Sequence, residues 1–398
     1  MLALLNTGNA FRPARHSRVF QVPSFFSSWI TSEAAWPYLV ITAAHSAAMV
    51  RRGEHRDLQG KLALGANALA VAGMARLMAE GRRADEQFEA ALSPWLDQST
   101  IDARPRSDRA GAWFPLIYGG RGHRVRTRGV PFSGGDGGPR LKLDVYEPLT
   151  PRLPGERRPA IVQIHGGAWV VGDKREQGIP LLNHLASNGW VGFNVNYRLS
   201  PKVRAPEHLV DCKRAIAWIR QHADDYGIDP DFICVTGGSA GGHLTAMVAL
   251  TAGDPDYQPG FEDADTSVQA AVPFYGLYDF ADTSLMSPGF GEMFSEPLVF
   301  KAKYSEDPTP FERYSPISHV RPDAPPMMMI HGTRDALIPI ESARPFAAKM
   351  AAESQHAVVW VELDGAQHAF DIFPSPRTVR SVEYVERFLD GVRRGVIK

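Results

Sequence analysis

The stretch Phe232–Leu250, FICVTGGSAGGHLTAMVAL, decides how the rest of the chain is read. Phe232–Val235 is short and apolar, as a buried strand should be, and Leu244–Leu250 reads as a helix. Between them Gly237, Gly238, Ala240, Gly241 and Gly242 crowd a single hydroxyl, that of Ser239. The spacing is G-x-S-x-G. A serine at a sharp strand-to-helix turn takes a strained backbone conformation. Its neighbours two residues either side must lack bulk for the turn to close. The hydroxyl then stands above the sheet at the positive end of a helix. A plain glycine-rich turn would use the same letters; the flanking strand and helix favour the exposed nucleophile.

Outward from this turn, strands alternate with helices. Upstream, strands are expected at His123–Val130, Leu141–Tyr146, Ala160–Ile164 and Trp190–Val195; downstream, at Val268–Phe274, Met327–Ile330 and Ala357–Leu363. Leu209, Cys212, Ile216 and Ile219 recur at helical spacing within Glu207–His222, with Pro206 at its start and Gly227 past its end. The fold class is α/β: a mostly parallel eight-stranded sheet with helices on both faces. Gly134–Gly138 reads as a hairpin turn rather than a dinucleotide loop, because no helix follows it. The connection from Tyr278 to Pro325 is too long and proline-rich for a plain loop and reads as a cap of about residues 278–325.

Residues 1–121 form a different region, a helical extension or cap, ahead of a catalytic domain at 122–398. Ala34–Val50 and Leu62–Ala75 are alanine-rich and apolar, joined by the charged link Arg51–Asp57, and read as a helical hairpin. Each apolar run falls short of the roughly 18–20 residues of a spanning helix, and His45 and Asn67 interrupt them. Two readings stand: helices packed on the protein, or peripheral membrane contact through residues 34–79, which the positive excess of the link suits.

Composition sets further bounds. A net charge of −1 over 398 residues argues against a phosphate-driven nucleic-acid partner. Two cysteines, Cys212 and Cys234, exclude a disulfide scaffold and fit a reducing, cytoplasmic setting, with membrane association open. Arg12, Arg15 and Arg18 follow the early apolar run, the wrong order for a cleavable signal peptide. A homodimer is also open.

A serine hydroxyl needs a base. In this architecture the chain order is serine, acid, histidine. Asp335, in IHGTRD, and His368, in DGAQHAF, each follow an expected strand, where such a sheet places its chemistry. Asp335 would orient His368, which would take and return the proton of Ser239. A turn cap and a loop histidine are the blander readings. Asp279, Asp364 and Asp371 are rival acids, the last two close to His368 in sequence. Oxyanion donors are expected from the backbone N–H groups of Gly166, Gly167 and Ala168, with that of Ala240. His165 is expected to brace this loop, and Trp169 either packs or touches substrate.

Together HGGAW (165–169), NYRLSP (196–201), GGSAGGHL (237–244), HGTRDALIP (331–339) and QHAF (367–370) resemble, in order, the motifs of the hormone-sensitive-lipase-like esterases of the α/β-hydrolase superfamily. The resemblance covers about residues 122–398. It implies a serine carboxylesterase or lipase acting on small-molecule esters of short to medium acyl chain through an acyl-enzyme, with no cofactor and no metal. It also implies the triad Ser239, Asp335 and His368. Two departures matter: HGGA stands for the usual HGGG, and Gly238 stands where aspartate is usual. The second brings the chain nearer a branch in which some relatives cleave amides, so an arylformamidase-like amidase is the alternative, and an inactive ligand-binding module on the same fold a third reading. The N-terminal extension is similar to that of mycobacterial-type lipolytic esterases.

Overall fold

A computed structural model describes residues 1–97, 124–133 and 140–398, apart from His16, Arg18, Ser287 and Pro374. The boundary expected near residue 121 and the turn expected at Gly134–Gly138 lie outside the described residues.

Eight strands form one sheet: β1 (Arg124–Pro131), β2 (Lys142–Pro148), β3 (Arg158–Ile164), β4 (Val191–Val195), β5 (Ile228–Gly238), β6 (Ala270–Phe274), β7 (Met327–Gly332) and β8 (Val358–Leu363). Their spatial order is β1-β2-β4-β3-β5-β6-β7-β8. β1 and β2 are antiparallel to their neighbours, and β4, β3, β5, β6, β7 and β8 run parallel. Burial follows position: every residue of the central β3 is buried, whereas β8 at the edge alternates between buried and half-buried.

Helices lie in front of the sheet in sequence and on both faces of it in space. The N-terminal set is α1 (Leu2–Phe11), α2 (Gln21–Glu33), α3 (Ala35–Arg51), α4 (Leu58–Arg82) and α5 (Ala84–Leu92). Interleaved with the strands come α6 (Ile179–Ser187), α7 (Glu207–Gln221), α8 (Ala223–Tyr226), α9 (Ala240–Leu250), α10 (Thr309–Arg313), α11 (Ile340–Glu353) and α12 (Pro376–Arg393). Ala160, Val162 and Ile164 of β3 pack with Leu209 of α7, Leu244 of α9 and Phe346 of α11. Ile161, pointing the other way, packs with Leu182 of α6, Phe388 of α12 and Phe88 of α5.

The hairpin expected at 34–75 is longer than its apolar runs. Asp57 caps α4 by accepting from Gly60 N at 2.7 Å, which starts the helix at Leu58, directly after the charged link. Two helices flanking it, α2 and α5, are too polar in composition to stand out by apolar runs. The 278–325 connection holds a π-helix at Gly291–Phe300, then α10 and a 3-10 turn at Pro316–His319.

Candidate active site

Ser239 follows β5 directly and precedes α9. It sits at φ 59° and ψ −122°, a region that non-glycine residues rarely occupy. The flanking glycines explain how the turn closes. A Cβ on Gly237 would stand 2.5 Å from the carbonyl oxygen of Ile164 in β3, and one on Gly241 2.1 Å from the same atom. Any larger residue at either position pushes the turn off the neighbouring strand. Ser239 N donates to Phe274 O at 3.0 Å, tying the turn to β6, and the side chain is half-buried.

Asp335 and His368 follow the C-terminal ends of β7 and β8, at the same edge of the sheet as Ser239 because these strands are parallel to β5. His368 Nδ1 lies 2.7 Å from Asp335 Oδ2. With Nδ1–H donating, Nε2 is left as the basic nitrogen. The other carboxylate oxygen of Asp335 accepts from Leu337 N at 2.9 Å and Ile338 N at 2.8 Å, so the turn wraps its own acid. His331 Nε2 stands 3.4 Å from Oδ2. Burial alone would raise the pKa of this carboxyl, but His368 and His331 beside it hold it well below the usual carboxylate range. Asp335 is therefore ionised wherever the protein is folded near neutrality.

The rival acids have other partners. Asp279 Oδ1 accepts from Ala281 N and Asp282 N. Asp364 meets α12 through its carbonyl oxygen, which accepts from Arg377, and Asp371 accepts from the Tyr275 hydroxyl. Ser239 Oγ makes no hydrogen bond to His368 among the described residues. The two sides of the site meet across Tyr275, whose ring centroid is 4.6 Å from that of His368 and whose hydroxyl reaches Gly238.

The HGGAW loop after β3 lies against the serine: a Cβ on Gly166 would be 3.0 Å from Ser239 Cβ. Here one expected donor drops out. Gly166 N–H already donates to Gln177 Oε1 at 2.7 Å, so this amide is engaged in holding the loop. Gly167 (φ +116°) and Ala168 (φ +53°) follow in left-handed conformations. Their N–H groups have no acceptor among the described residues. Neither has that of Ala240, as expected for the first residue of a helix. Sequence reading overlooked Gln177 because only the folded loop brings it to Gly166.

His165 Nδ1–H donates to Gly166 O at 2.7 Å, and its ring stacks on Tyr197 with centroids 4.4 Å apart. Burial pushes its pKa down to about 4, so it is a neutral brace. Trp169 is buried between His243 and Phe280 and packs rather than facing open space.

Three further contributors have no role assigned to them from the sequence. Tyr275, at φ 35°, donates its hydroxyl to the buried Asp371, whose pKa burial raises. Gly238 makes room for it: a Cβ there would lie 2.6 Å from Tyr275 Oη. Gln367 sits between the acid and base turns, and α2 lies across both. In hindsight the signal for α2 is the spacing of Gln21, Phe25, Ser28 and Trp29, which share one helical face. No group of three or more His, Cys, Asp or Glu side chains that would hold a metal ion occurs among the described residues.

Comparison with known proteins places the chain among esterases of this fold. The family model described as BD-FAE matches residues 143–350. The Mycobacterium tuberculosis protein named Probable carboxylic ester hydrolase LipM is 38% identical over 397 residues, covering 96% of this chain and 90% of the relative. Among solved structures, the butyrate-bound esterase Est2 of Thermogutta terrifontis is 27% identical with a TM-score of 0.56, covering 70% of this chain and 96% of that one. The same esterase phosphonylated by sarin is 27% identical with a TM-score of 0.57, covering 70% of this chain and 98% of that one.

Proposed function

The chain belongs to the BD-FAE family, and from that premise we propose that its hydrolysis of carboxylic esters runs through Ser239, His368 and Asp335. It is a serine esterase of the α/β-hydrolase fold whose substrates are small-molecule esters. Ser239 Oγ attacks the ester carbonyl carbon while its proton passes to His368 Nε2. Asp335, fixed to Nδ1, stabilises the imidazolium. The oxyanion is held by the N–H groups of Gly167, Ala168 and Ala240, which have no acceptor among the described residues. Collapse expels the alcohol, which takes the proton from His368, and leaves an acyl-serine. Water then attacks the acyl carbon, giving its proton to His368; the bond from that carbon to Ser239 Oγ breaks, His368 returns the proton to Oγ, and the acid is released.

The observation that carries this reading is the 2.7 Å bond between His368 Nδ1 and Asp335 Oδ2, at the sheet edge that also presents Ser239 in its strained turn. A panel of nitrophenyl esters of graded chain length, with a formyl anilide for amide cleavage, tests it. Ser239→Ala is expected to lose about 10⁴-fold or more in kcat; undiminished turnover by the variant removes the reading. Acyl chains of short to medium length are expected to be preferred. The methyl of Ala168 narrows the acyl side, and the similar Est2 is known with butyrate.

The same proposal extends to the N-terminal hairpin, as a peripheral contact with the cytoplasmic face of a membrane. Tyr38, Val40, Ile41 and Val50 of α3 and Leu58, Leu62 and Leu69 of α4 are exposed. An 18-residue window in the Leu58–Leu92 stretch has a mean hydropathy of 1.5, with 28% of it buried. Arg51, Arg52, Arg56 and Lys61 stand around the turn, which suits anionic headgroups. Both thiols are free and buried, in keeping with a reducing compartment. Co-sedimentation with phosphatidylglycerol vesicles, lost in Ile41→Ser/Leu62→Ser, is the expected result. A soluble, concentration-dependent homodimer with no vesicle binding would assign this face to a second copy instead.

A further inference from the structure

One face of α2 is polar and aromatic where an ordinary surface helix would be apolar, and each of its residues meets a catalytic turn. Gln21 Nε2 donates to Ala336 O at 2.7 Å, next to the acid Asp335. Phe25 stands edge-on to the His368 ring at 6.0 Å. Trp29 Nε1 donates to Ala369 O at 2.8 Å, and Ser28 Oγ accepts from Gln367 Nε2 at 2.7 Å.

Gln367 gathers these contacts. Its Oε1 accepts from Ala336 N at 2.6 Å and from His368 N at 2.9 Å, so one buried amide oxygen spans the residue after the acid and the base itself. Among the described residues its Nε2 donates to Ser28 of α2 alone. A primary amide fixed at three points orients the two turns relative to each other, because all its polar atoms are satisfied in one geometry only. Backbone bonds tie the two turns at their strand ends, Thr333 N to Leu363 O and Arg334 N to Ala366 O, both at 3.0 Å, with Gly365 N donating to Thr333 Oγ1. Gln367 adds the tie that lies beside the His368–Asp335 pair itself.

We propose that Gln367 is a positioning residue for ester hydrolysis, holding His368 against Asp335, and that α2 is the brace that keeps it in place through Ser28. This rests on the triad assignment above. The N-terminal segment is then part of the working enzyme and not only a cover or an anchor. Gln367 touches no reacting atom; it acts through His368. The titratable groups around that imidazole are Asp335 on the acid turn, with His331 behind it, Asp371 on its own loop, and Tyr275 after β6, whose ring lies 4.6 Å away; α2 contributes the ring of Phe25.

The test uses the full chain with a soluble nitrophenyl butyrate, with kcat corrected for the folded fraction seen in a thermal melt. Gln367→Leu keeps the volume and removes all three bonds. It is expected to lower kcat on the order of 100-fold, the scale of a small misplacement of a catalytic group, with KM within about threefold. Gln367→Glu still accepts both N–H groups and receives the Ser28 hydroxyl. It is expected to recover most of the loss and to move the acid limb of kcat/KM to higher pH, because a carboxylate beside His368 favours the imidazolium. Ser28→Ala, which leaves the amide in place but unanchored, is expected to cost about fivefold in kcat, the scale of one hydrogen bond.

A purely structural role would lower the melting temperature while leaving corrected kcat and the acid limb where they were in every variant, and that result overturns the proposal. Should Gln367→Leu not fold, parent-like kcat and acid limb in Ser28→Ala overturn it equally. Ser239→Ala run alongside separates the two claims: an inactive Ser239→Ala with parent-like Gln367 variants sinks only the brace, whereas an active one sinks the triad.

Discussion

α2 and the outer part of the α3–α4 hairpin belong to one continuous N-terminal segment, yet they present opposite surfaces. α2 turns Gln21, Phe25, Ser28 and Trp29 inward and bonds them to residues more than 300 positions away. At its last residue, Glu33 pairs with Arg377 and accepts from Ser375. The hairpin buries a narrow stripe on α4, Ala66, Asn67, Ala70, Met74 and Leu77, and leaves Leu58, Leu62 and Leu69 facing out. Only at its last turns does α4 approach the chemistry, where Glu80 pairs with Arg334 at 2.7 Å. Polar residues buried with every partner in place mark where geometry must be held. The uncovered apolar residues of the hairpin are the surface that the proposed membrane contact would use.

That contrast breaks most sharply at the catalytic pair. Asp335→Asn keeps the shape of the turn that α2 braces but leaves His368 without its negative partner, and kcat is expected to fall about 10⁴-fold. An equally slow Asp335→Asn and parent would remove both the acid and the reason for the brace. One step out, Trp29→Ala takes away the donor to Ala369 O and the ring stacked on Phe373 at 4.6 Å. A kcat loss of about tenfold is expected, the scale of one buried hydrogen bond with its packing. Stopped kinetics on a soluble ester read it directly.

The acid response should belong to the sheet domain and not to the hairpin. Burial lowers the pKa of His165 to about 4 and those of His208 and His243 to about 3. These side chains are neutral when folded and bind protons near their ordinary value of about 6.5 when unfolded. The unfolded state thus holds more protons below that value, and stability falls as pH drops from about 6.5 toward 4. Melting temperature measured from pH 7 to pH 5 is expected to decline, and His243→Gln to flatten the decline; a flat parent curve would contradict this. The smallest effect is expected in the hairpin. Ile41→Ser/Leu62→Ser should change corrected kcat by less than about twofold and stability by about 0.5 kcal/mol or less. A large loss of either would mean that these side chains pack in solution.

What the sequence disclosed follows the same division. The turn at Gly237–Gly241 is local: a strand, small residues forced by the approach of Ile164 O, and a helix, all within twenty residues. The central parallel strands were readable because burial on both faces leaves continuous apolar runs, and the first strand because its residues alternate. Asp335 and His368 could be named because each immediately follows such a run. By contrast, α2 reads as QVPSFFSSWITSE: Val22, Phe25, Phe26, Trp29 and Ile30 recur at helical spacing, but the segment is short and polar enough to be passed over, and the spacing does not say what it packs on. Its meaning lies in Gln367 and Ala369, which no local pattern connects to it. Tyr275 was equally silent, since the space it fills exists only because Gly238 lacks a side chain. Gly166 was misjudged as a free donor for the same reason: its acceptor, Gln177, comes from a loop whose path is set by the fold.

The central claim is that Ser239 is the nucleophile activated by His368. Treatment with a fluorophosphonate followed by peptide mapping tests it most directly. A single phosphonyl group on Ser239 is expected in the parent, with labelling slowed by orders of magnitude in His368→Ala. A stable adduct on another residue, or parent-rate esterase activity once Ser239 is fully blocked, would contradict the account.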